Sequence, residues 1–175
     1  VLCMYNKALG PTHYLQFDTS SAVDNAAYWN DTAPTNNVFS IGTASGVNTS
    51  GATYVAYCFA EKTGYCKVGK YSGNANANGN FIYTGFKPSF IILKGANSEN
   101  WSMYDNKRLG YNADNNTLHT NTNDAEATSD DIDILSNGFK IRRATGLLND
   151  SGVEYYWTAF GQSLVGSNNV PCTAR

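Results

Sequence analysis

A short stretch near the start of the chain, Met4-Tyr5-Asn6-Lys7-Ala8-Leu9-Gly10, returns far downstream as Met103-Tyr104-Asp105-Asn106-Lys107-Arg108-Leu109-Gly110, with one residue inserted. The correspondence continues in order. Val38-Phe39-Ser40-Ile41 matches Gly138-Phe139-Lys140-Ile141, Gly46 matches Gly146, and Asn48-Thr49-Ser50-Gly51 matches Asn149-Asp150-Ser151-Gly152. Residues 54–59 then align with residues 155–160, each stretch carrying an aromatic at both ends. An ordered series at an offset of about 100 residues is the signature of an internal repeat, which restricts the chain to folds assembled from copies of one unit.

The copies are unequal. Gly79 to Trp101 leads into the second copy and has no counterpart before the first, which enters at a position equivalent to Ser102. A β unit without its opening strands has edges that must be paired or covered. The missing strands are expected from an upstream part of a longer polypeptide or from a neighbouring chain, and Val1 reads as a processed or cloned start. The expected units are a partial β module over 1–66, a Gly/Asn-rich linker over 67–80, and a complete module with a C-terminal tail over 81–175.

Within the second copy the pattern is that of strands. Residues 79–86 read as a strand ending in a glycine turn, and Pro88 introduces Ser89-Phe90-Ile91-Ile92-Leu93-Lys94, a β-branched run suited to burial on both faces. Trp101-Ser102-Met103-Tyr104 and Asp131-Ile132-Asp133-Ile134 alternate, which puts one face in the core and one in water. Asn137-Gly138 lies between apolar strands, and since both residues tolerate positive φ it predicts a hairpin joining 132–135 to 139–142. The turn at 149–152 delivers a closing strand over 153–160, and the same turn precedes 54–59. Helical periodicity never extends beyond one turn, within 18–27. The expected fold is all-β: antiparallel β-sandwich modules in tandem, the first truncated at its N-terminus.

Composition narrows the function classes. Lys and Arg total 12 against 14 Asp and Glu, a net charge of −2, which leaves no electrostatic basis for nucleic acid. No apolar run approaches the roughly 20 residues of a membrane span, and the opening residues lack a secretory signal pattern. The polar load is uncharged: 22 Asn, 16 Thr and 14 Ser. Four cysteines, Cys3, Cys58, Cys66 and Cys172, match neither a redox motif nor a zinc site, so no disulfide framework is expected, and Cys58 reads as a buried strand thiol.

The run Tyr83-Thr84-Gly85-Phe86-Lys87-Pro88-Ser89-Phe90-Ile91-Ile92-Leu93-Lys94, then Asn137-Gly138-Phe139, then Ser151-Gly152 followed by Tyr155-Tyr156-Trp157, resembles an uncharacterised repeat domain of tail-fibre-like and other virion proteins of marine tailed bacteriophages. Residues 161–175 resemble the natural C-terminus of such proteins. The resemblance implies a non-enzymatic structural or host-recognition role on the virion, assembled in the bacterial cytoplasm and exposed outside the cell. Its partners would be other virion proteins, further copies of the chain and host surface glycan, with no membrane insertion. A surface rich in uncharged polar groups suits this setting, because high salt screens charge repulsion to within several Å.

Two candidate sites stand beside this reading. Tyr28, Trp29 and Tyr111, in Asn-rich loops, supply flat rings for the apolar faces of sugars, which makes a carbohydrate-binding module the first alternative. Asp130, Asp131 and Asp133 offer oxygen ligands for calcium, against the simpler reading of a solvated loop feeding an edge strand. The same carboxylates define the weaker alternative, a polysaccharide depolymerase, which needs two carboxylates a few Å apart in different environments. His13 and His119 lie in no triad motif, and GxSxG is absent, so no catalytic residue is assigned. Lys107-Arg108 and Arg142-Arg143 read as isolated surface charges.

Overall fold

The computed structural model describes residues 2–21, 23–25, 27–108, 112 and 115–161. In chain order its strands are β1 Cys3–Met4, β2 His13–Gln16, β3 Asp24–Asn25, β4 Cys66–Ser72, β5 Phe81–Tyr83, β6 Pro88–Gly95, β7 Ser102–Asp105, β8 Asn115–Thr117, β9 Ala127–Ser129, β10 Ile132–Leu135, β11 Gly138–Ile141 and β12 Glu154–Gly161. One helical turn, α1, spans Ser45–Asn48. The fold is all-β, and every strand pairing is antiparallel.

The centre is a four-stranded sheet in the order β4-β12-β6-β7. Side chains alternate across a strand, so a run apolar at every position serves two cores at once. In β12, Tyr155, Trp157 and Ala159 enter one core while Tyr156 enters another; in β6, Ile91 and Leu93 face the first and Ile92 the second. The first core is completed by a three-stranded sheet, β10-β11-β5, which contributes Ile82, Ile132, Ile134, Phe139 and Ile141. The second is closed by the β1-β2-β3 meander: Leu15 packs with Ile92, Trp101 and Tyr156, and the Trp101 indole N–H donates to the Gln16 carbonyl at 2.8 Å.

The 132–135 to 138–141 hairpin forms, but its chemistry differs from the expectation. Leu135 pairs with Gly138 across the two-residue loop Ser136-Asn137, and none of Ser136, Asn137 and Gly138 takes a positive φ. Gly138 is required for another reason: a Cβ there would sit 2.0 Å from the Ile82 carbonyl oxygen of the neighbouring β5.

Residues 67–72, expected within a linker, lie in a strand. The stretch read as a linker contains most of β4, which pairs with β12 from Cys66 to Ser72. Its Gly/Asn-rich remainder is ordered by Asx turns, with Asn74 Oδ1 accepting from the Asn76 N–H and Asn76 Oδ1 from the Asn78 N–H. Residues assigned to separate modules also share the second core through Leu15.

Residues 54–59, expected as a strand, form none and are exposed throughout. Cys58 is accordingly exposed, contrary to its reading as a buried thiol, whereas Cys66 is buried and Cys3 half-buried. Cys172 and the C-terminal tail lie outside the described residues.

Candidate functional site

The acidic cluster does not converge. Asp131 precedes β10 and turns inward to 1% exposure, where its carboxylate accepts from the Tyr104 hydroxyl at 2.8 Å, the Thr117 hydroxyl at 3.0 Å and the Arg143 guanidinium at 2.9 Å. Burial alone would raise its pKa; the hydrogen bonds from Ser129, Arg143 and Tyr104, with the Arg143 charge, outweigh that and hold it below the ordinary value. Asp133 pairs with Arg142 at 3.5 Å, and Asp130 is exposed. Among the described residues, no group of three or more His, Cys, Asp or Glu side chains is placed to hold a metal ion. The solvated-loop reading fails for Asp131 as well, because its role is to bind a buried network together.

The basic pairs are likewise engaged. Arg108 joins Asp105 and Glu126, and Arg143 reaches Asp131.

The aromatic candidates turn toward the protein. Trp29 is 8% exposed, its indole N–H donating to the His13 carbonyl at 3.1 Å and its ring meeting Tyr5 edge to face at 5.9 Å. Tyr28 stacks on Tyr14 with centroids 3.8 Å apart, and burial followed by the Tyr14 hydroxyl contact pushes its phenol up to about 12. Tyr111 lies outside the described residues. Trp29 is therefore buried against the β2–β3 meander, while Tyr28 is half-buried and stacks on Tyr14.

Both histidines are hydrogen-bonded. His13 Nδ1 meets the Thr12 hydroxyl at 2.8 Å, and His119 Nδ1 meets the Trp101 carbonyl at 2.6 Å. A group no sequence pattern marked is Lys94, at the end of the β-branched run. It has no exposed surface, donates to the Gly95 and Asn97 carbonyls at 2.7 and 2.6 Å, and is pushed down to about 8 by burial, with Glu99 acting in the opposite sense.

The surface that stands out is the segment 38–60. Val38, Phe39, Ile41, Tyr54, Tyr57 and Phe59 are 44–79% exposed, an apolar load unusual for a solvated chain. The segment nonetheless has defined structure. The Thr49 N–H donates to the Tyr54 hydroxyl at 2.8 Å, and that hydroxyl donates to the Ser45 carbonyl at 3.1 Å. Before β12 the Asp150 N–H likewise donates to the Tyr155 hydroxyl at 2.8 Å, and that hydroxyl donates to the Gly146 carbonyl at 2.9 Å.

The same offset relates further features. Asn48 Nδ2 donates to the Gly42 carbonyl as Asn149 Nδ2 does to the Arg143 carbonyl, both at 2.8 Å, and Gly51 and Gly152 hold φ of 77° and 75°. These bonds put Gly146 opposite Ser45, one position away from the sequence match to Gly46. Earlier in the chain, Met4 pairs with Leu15 as Met103 bridges to Leu118.

The two tyrosine turns part at what surrounds them. Tyr155 is buried between β4 and β6, whereas Tyr54 is 46% exposed and has neither neighbour. Asn149 also donates to Asn74 Oδ1 and the Asn76 carbonyl and accepts from the Asn74 N–H; the equivalent carboxamide of Asn48 faces no such connector.

Residues 2–163 match the model of a family described as a domain of unknown function (DUF7483), and the chain belongs to that family. No curated protein and no solved structure matches it.

Proposed function

We propose that this member of the family is a non-enzymatic structural protein of a bacteriophage virion, part of a tail-fibre-like or appendage protein built from tandem β-sandwich modules, with a role in host attachment. The observation that carries the reading is the recurrence of the tyrosine bonds, Tyr54 to Thr49 and Ser45 against Tyr155 to Asp150 and Gly146. A unit whose turn geometry is kept while its surroundings differ is a building element, and repeated units that contact their neighbours extend a protein along one axis. The two facing sheets around the first core support a sandwich for the second unit. The resemblance of residues 83–94 to virion repeat domains supports the setting.

Mass spectrometry of purified phage particles tests the proposal. Peptides of this chain at stoichiometric abundance in particles are the expected result; their absence from particles, with the protein present in infected cells, would overturn it.

A further inference from the structure

We infer that residues 48–60 are an acceptor site for strands donated by another unit of the same repeat, a set of the kind that β4, the connector 73–80 and β6 form around β12. The inference deepens the modular reading and rests on the repeat, not on the virion assignment.

The second copy displays the completed site. β12 has a partner on each side, seven residue pairs with β4 and seven with β6. Ahead of β12, the connector is bound to the preceding turn: the Gly73 N–H donates to the Val153 carbonyl, the Gly152 N–H to the Gly73 carbonyl, and the Ala75 N–H to the Asn149 carbonyl. Asn149 closes the arrangement with its carboxamide and is fully buried.

The first copy displays the same turn without these strands beside it, and its Phe59 meets the Phe160 ring of β12 edge to face at 5.4 Å. Tyr54 is held by the same two bonds as Tyr155, Gly51 keeps the backbone conformation of Gly152, and Asn48 keeps the intraturn bond of Asn149. The following residues, Val55, Tyr57 and Phe59, which align with Tyr156, Thr158 and Phe160, are 76%, 79% and 69% exposed. Exposed apolar side chains on a backbone without ladder partners among the described residues are what an added strand recognises, through main-chain bonds for affinity and side-chain register for specificity. The Asn48 carboxamide narrows the occupant from any extended peptide to one followed by an Asn-rich connector, because its counterpart Asn149 binds Asn74 and Asn76.

The site is tested with a synthetic peptide of residues 66–96, which carries the β4, connector, β5 and β6 sequences, added to the full chain and read by amide hydrogen exchange. At a peptide concentration 100 times its Kd, the amides of residues 54–60 should exchange about 100-fold more slowly. Asn48→Ala and Ala56→Pro, both at positions outside the packed cores, should each weaken the peptide at least tenfold while exchange in β10 and β11 stays unchanged. Three results would overturn the inference: no protection of 54–60 in a folded chain, equal protection by a scrambled peptide, or protection without peptide that rises with chain concentration, which would assign the surface to self-pairing. Absence of the chain from particles would remove the virion reading and leave this result untouched.

Discussion

Asn149 and Asn74, far apart in the chain, bond each other twice: the Asn149 carboxamide donates to Asn74 Oδ1 at 3.0 Å, and the Asn74 backbone N–H donates to Asn149 Oδ1 at 2.9 Å. Asn149 also binds the Asn76 and Arg143 carbonyls, so one buried side chain pins an Asn-rich connector to the turn before β12. Asn149→Ala removes all of these and leaves buried groups unsatisfied, a loss of about 3 kcal/mol, whereas Asn48→Ala removes one bond of an exposed side chain, a loss of about 1 kcal/mol or less. Urea unfolding of both variants measures the difference, and hydrogen exchange should show residues 73–80 released only in the first.

Asp131 contributes to stability against acid. Its folded carboxylate lies below the ordinary 3.8. The unfolded chain therefore takes up the proton first as pH falls, so the contribution is complete above the ordinary value and is lost as pH drops through the lower folded one. Asp131→Ala leaves the Arg143 charge and the Tyr104 hydroxyl without their acceptor, a loss of about 3–5 kcal/mol near neutrality. Chemical denaturation from pH 7 down to pH 2 should show the wild type converging on the variant at the acid end.

Lys94 acts with the opposite sign. Its folded value of about 8 lies below the ordinary 10.5. Between these values the unfolded chain holds more protons, so stability from this group rises with pH; the penalty is complete below pH 8 and gone above 10.5. Lys94→Met removes the titration. Relative to the variant, the wild type should gain up to about 3 kcal/mol across that window, measured as the difference between the two stability curves so that tyrosine titrations cancel.

Gly138→Ala drives a methyl group into the Ile82 carbonyl. Overpacking against backbone costs about 1–3 kcal/mol, and here it should part β5 from β11. Exchange at the β5 amides should accelerate more than exchange in β12. A neutral result would mean that β5 is not held as closely as described.

The strands legible beforehand were those with an unbroken pattern: β6, β10, β11 and β12 all fall on runs whose alternation or β-branching is plain. β4 was hidden because Lys67, Gly69 and Lys70 interrupt its apolar positions. Gly69 is explained only in three dimensions, where Trp157 of the next strand lies across it and a Cβ would meet the indole at 2.4 Å. Residues 54–59 mislead in the other direction, since they have a strand's composition and no strand to pair with.

The sites were less legible than the strands. Asp131 looks solvated among acidic neighbours, and its burial depends on Tyr104 and Arg143 arriving from other elements. Trp29 looks available in an Asn-rich loop until the meander folds beneath it. Lys94 carried no signal, since a lysine closing a strand is ordinarily at the surface.

The pairing of Cys66 with Phe160 brings the beginning of β4 and the end of β12 to the same end of the sheet, where the Gly161 N–H also meets the Tyr65 carbonyl. Tension applied between those two points would load the rungs one after another, peeling the ladder open like a zip instead of shearing all its bonds together. Along this path the domain yields to small forces, and the strands inside it come free in a set sequence beginning with the outermost.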